Sequence, residues 1–61
     1  MKRFVREYAN DKIRSYQKIA ADSPRLLGEC ASRIERIRKA TSMYERYIIT
    51  EDEAIREILE A

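Results

Sequence analysis

Apolar residues recur every three or four positions along the first part of the chain, the spacing that places side chains on one face of an α-helix. The series comprises Phe4, Val5, Tyr8, Ala9, Ile13, Tyr16, Ile19 and Ala20. No glycine or proline interrupts it, so it predicts a helix over about residues 2–21. Lys12 lies within the apolar face, where its stem can cover apolar neighbours while its ammonium reaches water.

The segment Asp22-Ser23-Pro24 predicts the end of this helix and the start of another. Ser23 is a good N-cap because its hydroxyl can accept a hydrogen bond from the first helical turn. Pro24 suits the first helical position, where its missing N–H is not needed. A link of only about two residues forces the helices to run antiparallel, so we expect a helical hairpin.

A second periodic series predicts a helix over about residues 24–47. Its members alternate in steps of three and four, the repeat of a coiled-coil seam: Leu27, Cys30, Ile34, Ile37, Thr41, Tyr44 and Ile48. Helix 1 carries a matching series of Val5, Ala9, Lys12, Tyr16 and Ile19. We expect the two series to face each other across the hairpin.

A short third helix is predicted over about residues 51–60. Thr50 and Glu53 have the spacing of a capping box, and the helix then carries a compact apolar face. A helix this short is marginal by itself and needs a surface to dock on. We therefore predict an all-α single domain over residues 1–61. It consists of the antiparallel hairpin and the short C-terminal helix, either closed as a three-helix bundle or paired as a helical dimer.

Charge is unevenly distributed along the chain. Residues 1–50 hold twelve Lys/Arg and six Asp/Glu, a net charge of +6, whereas residues 51–61 hold one and five, a net charge of −4. A basic hairpin can attract phosphates. The basic residues, however, are spread around both helices, which favours a mixed solvated surface over a dedicated nucleic-acid stripe.

The residues that usually carry chemistry are sparse. The chain has no histidine, and Cys30 is its only cysteine, with no base predicted beside it to form a thiolate. No zinc-ligand, EF-hand or P-loop spacing occurs. We predict a protein that is not an enzyme and uses no cofactor, metal or small-molecule substrate. The lone thiol and the absence of a long apolar run predict a cytoplasmic protein without a membrane segment.

Two segments resemble short helical proteins of bacterial prophages and integrative mobile elements. The segments are residues 4–11, Phe-Val-Arg-Glu-Tyr-Ala-Asn-Asp, and residues 47–55, Tyr-Ile-Ile-Thr-Glu-Asp-Glu-Ala-Ile. In those proteins a Gly-x-Ile-Thr link often precedes the last acidic helix, whereas here the glycine is missing. The resemblance implies an accessory or regulatory role and transfers no functional residue.

The function that the sequence favours is a non-enzymatic helical interaction module, which associates with itself as a homodimer or binds another protein. The candidate surface combines a second apolar stripe on helix 2 with the apolar face of helix 3: Ala40, Met43, Tyr47, Ile55, Ile58 and Leu59. The alternative is a small nucleic-acid-associated regulator. Its candidate contacts are Arg33, Arg36 and Lys39.

Overall fold

The computed structural model describes residues 2–61, with side chains from Phe4 onward. It contains three α-helices: α1 over Lys2–Asp22, α2 over Leu27–Glu45 and α3 over Glu51–Glu60. A single 3₁₀ turn, Pro24–Leu26, joins α1 to α2, and no strand occurs in residues 2–61. The all-α prediction is confirmed.

The turn between α1 and α2 is closed by main-chain atoms. The Ser23 N–H donates to the Ile19 carbonyl over 2.8 Å, and the Leu26 N–H donates to the Ser23 carbonyl over 2.8 Å. The Ser23 side chain makes no capping hydrogen bond. The prediction that Ser23 caps a helix starting at Pro24 is therefore wrong, because the chain first makes one tight turn with 3₁₀ bonding and α2 begins at Leu27.

The core is built from one branched side chain and one alanine of each helix. These are Val5 and Ala9 of α1, Ile37 and Ala40 of α2, and Ile58 and Ala54 of α3, joined by Ala61. The alanines allow close approach of the helix axes, and the branched side chains fill the space between them. The third helix thus docks on the hairpin of its own chain and closes a three-helix bundle.

The end of α2 is a Schellman motif built on a tyrosine. The Ile48 N–H donates to the Met43 carbonyl over 2.9 Å, and the Tyr47 N–H donates to the Tyr44 carbonyl over 3.0 Å. Tyr47 has a φ of 63°, the left-handed conformation that glycine usually adopts at this position. α2 ends at Glu45, slightly before the predicted end at about Tyr47, because the left-handed Tyr47 follows the C-cap Arg46.

Both ends of the predicted seam on helix 2 are exposed. Ile48 follows the left-handed residue, which turns the chain off the helix axis, and 59% of its surface is accessible. Leu27 is 60% exposed because it begins α2 at the hairpin tip, beyond the reach of α3. The seam prediction is therefore wrong at Leu27 and Ile48. It is correct at Cys30 and Ile37, which are buried.

The bundle is elongated, with extents of 35 × 16 × 15 Å. Arg33 of α2 contacts Ala61, and Arg36 contacts Glu57, so α3 runs antiparallel to α2. The bundle therefore has two different ends. At the turn end only α1 and α2 meet. At the other end α1 begins close to the link Arg46–Thr50, which joins α2 to α3.

Candidate interaction surface

Opposite charges meet where α3 docks on α2. Arg36 donates through Nη2 to Glu57 Oε1 over 3.2 Å and through Nε over 3.3 Å, and the same Nη2 lies 3.7 Å from Glu60 Oε1. These side chains are about half exposed, so each ion pair stabilises the docked helix only weakly. The buried side chains Ala54 and Ile58 set the face of α3 that is turned towards the hairpin, and these ion pairs flank that face.

The last turn of α3 is held by two side chains of the hairpin. The Tyr16 hydroxyl donates to the main-chain oxygen of Ala61 over 2.6 Å, and Arg33 Nη1 donates to the same oxygen over 2.8 Å. Arg33 Nη2 also donates to Glu29 Oε1 over 3.3 Å. The Glu29 carboxylate, and then the Tyr16 phenol, raise the pKa of Arg33 above its ordinary value.

The first turn of α3 contains the predicted capping box, which is confirmed. The Thr50 hydroxyl accepts from the Glu53 N–H over 3.2 Å, and the Glu53 carboxylate accepts from the Thr50 N–H over 2.9 Å. The hydrogen bond from the Thr50 N–H, and then the hydrogen bond with the Thr50 side chain, lower the pKa of Glu53 because both favour its ionised carboxylate. Both bonds exist only while the helix is formed.

The seam between α2 and α3 is open on one side as a groove of about 450 Å³. Its floor is apolar, with Ala40, Met43 and Ile49, and its rims carry charges of both signs: Arg36, Lys39 and Arg56 beside Glu53 and Glu57. In residues 2–61 no group of three or more potential metal ligands comes together. The groove can hold apolar side chains between charged rims.

The six residues of the predicted interaction surface are divided by the fold. Ala40 and Ile58 are buried in the protein's own core, and Met43 and Ile55 are half-buried. Tyr47 and Leu59 are exposed, but Tyr47 precedes α3 and Leu59 lies in its last turn. The part of α3 that lies between them, from its first residue Glu51 to Leu59, is roughly 12 Å long at 1.5 Å per residue. The six residues therefore do not form one surface.

A different apolar surface lies at the end of the bundle where α2 joins α3. Phe4, Tyr47 and Ile48, here called the link-end patch, are 57%, 76% and 59% exposed. Arg6 of α1 binds Glu45 of α2 at the same end, which brings the start of α1 beside the link. Tyr47 and Ile48 lie in the link itself and Phe4 lies two residues before Arg6, so three large apolar or aromatic side chains are exposed at this end of the bundle.

Sequence reasoning placed Tyr47 in the interaction surface but missed the other two members. Phe4 was included in the apolar face of helix 1, and Ile48 in the seam of helix 2. The capping box could have revealed Ile48, because an N-cap at Thr50 requires α2 to end several residues earlier. The signal that could have excluded Phe4 from the core is the seam series of helix 1, which contains its buried neighbour Val5 but not Phe4.

The predicted nucleic-acid contacts lie on the side of the hairpin that α3 covers. Arg33 and Arg36 bind the last turns of α3, and Lys39 lines the groove between α2 and α3. The opposite side holds a second groove, where Arg38 lies with Asn10 and Ser42. Within the described residues no hydrogen bond or ion pair joins Arg38 to another side chain.

No protein-family model, curated protein or solved structure matches this chain. None of the helices in residues 2–61 combines the length and the apolar character needed to cross a membrane.

Proposed function

We propose that this protein is a non-enzymatic helical interaction module, which associates with itself through the link-end patch. The observation that carries the proposal is the exposure of Phe4, Tyr47 and Ile48 at one end of the bundle. Aromatic side chains are enriched in protein interfaces because they bury much apolar area with few rotatable bonds. A small domain also gains from association, since its own core is thin.

The test compares two aliphatic side chains of almost equal exposure at opposite ends of the bundle. Ile48 is 59% exposed in the link-end patch, and Leu27 is 60% exposed at the turn end. Sedimentation velocity over a wide concentration range gives the dimer dissociation constant of the wild type, Ile48→Gln and Leu27→Gln. We expect Ile48→Gln to weaken association about tenfold, the effect of roughly 1.4 kcal/mol of lost burial in each dimer.

Leu27→Gln is the control and should associate like the wild type. Equal weakening by both substitutions would contradict the assignment to the link end. A wild-type chain that remains monomeric up to millimolar concentration would contradict self-association itself. Binding of another protein by the same patch would then be the remaining form of an interaction module.

The cellular setting that we propose is an accessory or regulatory protein of a mobile element, acting in the cytoplasm. The support is the resemblance of residues 4–11 and 47–55 to small prophage and integrative-element proteins. The free thiol of Cys30 suits a reducing compartment. Fluorescence microscopy of a tagged chain in a bacterial cell tests the location, and an even cytoplasmic signal is expected.

A second candidate function is nucleic-acid binding on the side of the hairpin that α3 leaves open. The alternative rests on Arg38, which lies in a groove with Asn10 and Ser42 and forms no ion pair with an acidic side chain in the described residues, since Glu45 of the same groove binds Arg6. Binding of a labelled DNA duplex, measured by anisotropy, should weaken steeply between about 50 and 200 mM salt.

The matched control for this alternative is Arg25, an exposed arginine in the turn between α1 and α2. Arg38→Glu should abolish binding, whereas Arg25→Glu changes the net charge equally but lies at the hairpin tip. Equal loss in both variants would indicate attraction by net charge alone. Absence of binding by the wild type at low salt would exclude this function.

A further inference from the structure

We propose that α3 is exchanged between two copies of this chain, so that each hairpin is closed by the α3 of its partner. The proposal rests on the self-association proposed above and names the segment that carries it. The position beside α2 that the chain's own α3 fills is then taken by a helix of identical sequence from a second copy. Each bundle in the dimer is complete only when the partner contributes Ile58, Glu57 and Ala61.

The first argument is that α3 contacts the hairpin as a separate ligand would. It is a helix of only ten residues, and its buried face consists of Ala54 and Ile58, followed by Ala61. Its polar contacts are Glu57 and Glu60 with Arg36, and Ala61 with Tyr16 and Arg33. None of these contacts depends on the link, so the α3 of a second copy can make every one of them.

The second argument concerns the hinge. The closed chain requires Tyr47 to adopt a φ of 63°, which costs a residue with a side chain more than it costs glycine. This cost arises because the chain must turn back sharply after α2 for α3 to pack on its own hairpin. Once α3 is exchanged, the link Arg46–Thr50 can extend or continue the helix, and Tyr47 is released from the left-handed conformation. Short hinges under strain favour exchange of the segment that follows them.

The third argument is the position of the exposed apolar side chains. Tyr47 and Ile48 of the link-end patch are part of the hinge itself. In an exchanged dimer both links pass through the same junction, because each one leads from one hairpin to the other. Their apolar side chains can then cover each other there. Tyr47 and Ile48 therefore belong both to the surface proposed for self-association and to the hinge proposed for exchange.

The test uses complementary charge reversals in the full chain. Arg36→Glu alone places a carboxylate beside Glu57 and Glu60, and Glu57→Arg alone places a guanidinium beside Arg36. Each variant therefore has a mismatched contact within its own chain. In a mixed dimer with exchanged helices both contacts are matched, because each hairpin receives the helix of the other variant.

Native mass spectrometry of the mixed variants measures the heterodimer fraction, with circular dichroism to check that each one is helical. We expect the ratio of heterodimer to homodimers to be about fivefold above its value for random mixing at low salt, with the excess decreasing as salt is added. The matched control reverses the charges of Asp11 and Arg14, a weak pair 3.9 Å apart within α1. Mixing Asp11→Arg with Arg14→Glu should give random proportions, because that pair never crosses between chains.

The hinge supplies a second measurement that does not depend on the stability of the reversed variants. Tyr47→Gly and Tyr47→Val both remove the aromatic ring from the link-end patch, so the two variants are compared with each other. Glycine removes the cost of the left-handed conformation from both hinges, whereas valine increases it because a β-branched residue tolerates positive φ poorly, so the glycine variant should dimerise at least roughly 30-fold more weakly than the valine variant. Equal dimerisation of the two variants would overturn the hinge argument.

The outcomes distinguish this inference from the proposed function. Dimers that form through Ile48 but mix at random when Arg36→Glu and Glu57→Arg are combined would overturn the exchange and leave the interaction module intact. Heterodimer enrichment in the reversed pair but not in the Asp11/Arg14 control supports the exchange. A wild-type chain that does not self-associate would overturn both.

Discussion

At the scale of single residues, Tyr47 is the position where sequence and conformation disagree most. The Schellman motif at the end of α2 needs a residue with positive φ, and this chain supplies a tyrosine. The conformation is held by the hydrogen bonds on either side of it and by the docking of α3.

Replacing Tyr47 by glycine should therefore stabilise the monomer. The left-handed conformation costs tyrosine roughly 1–2 kcal/mol, and glycine loses roughly 0.5–1 kcal/mol of that gain through its freedom in the unfolded chain. We expect a free energy of unfolding higher by about 0.5–1 kcal/mol, measured by urea unfolding at a dilution where the chain is monomeric.

The control for this substitution is the preceding residue. Arg46 has a φ of −90° and gains nothing from glycine, so Arg46→Gly should lower stability slightly. Stabilisation by both glycines would indicate that the effect does not come from the left-handed conformation.

Ile58 and Leu59 are neighbouring aliphatic residues of α3 that differ in burial. Ile58 is completely buried, whereas Leu59 is 58% exposed. Ile58→Ala should cost about 2–5 kcal/mol because it removes a branched side chain from a packed core. Leu59→Ala should stay within about 0.5 kcal/mol, as is usual for surface positions. Thermal unfolding followed by circular dichroism compares the two, and equal losses would contradict the docking of α3 through Ile58.

At the scale of elements, the helices were predicted better than their ends. Periodicity located all three because apolar side chains must lie on one face to be buried together. The ends depend on hydrogen bonds that spacing does not encode. At Pro24 the chain makes a 3₁₀ turn first, and at Tyr47 a left-handed residue ends the helix before the apolar pattern ends. Thr50 was predicted correctly because a capping box is a local sequence pattern.

The capping box should measurably stabilise α3. Thr50→Ala removes the acceptor for the Glu53 N–H, and we expect a loss of about 1 kcal/mol, or roughly 4–8 °C in Tm for a domain of this size. Thr50→Ser keeps the acceptor and is the matched control. An alanine variant with wild-type Tm would show that the hydroxyl does not contribute.

The same box predicts a dependence of stability on pH. Hydrogen bonding lowers the pKa of Glu53 in the folded protein below its ordinary value of 4.5. A lowered folded pKa stabilises the protein above pH 4.5, and this contribution disappears as the pH falls through the folded pKa. Urea midpoints for the wild type and Glu53→Gln should therefore differ at pH 7 and converge under strongly acidic conditions. A constant difference would contradict the assignment to the carboxylate.

At the scale of the whole molecule, the sequence predicted a hairpin and a third helix but left open how α3 is covered. That question depends on which alanines lie opposite which branched side chains, and a single sequence does not specify the pairing. Ala40 and Ile58 looked like surface residues because nothing in the spacing showed that they meet in one core. The link-end patch was missed for the same reason, since exposure is a property of the assembled bundle.

The length of α3 relative to the hairpin has a consequence for local motion. α3 ends where Ala61 meets Tyr16 and Arg33, while Cys30 lies one turn closer to the hairpin tip and is still buried. A thiol reagent in large excess can therefore attack Cys30 only when the two-helix tip opens. Its labelling rate reports the free energy of that opening. Because the tip lies beyond α3, labelling of Cys30 should be insensitive to Thr50→Ala. The labelling rate of this thiol would then measure the opening of the part of the bundle that contains only α1 and α2.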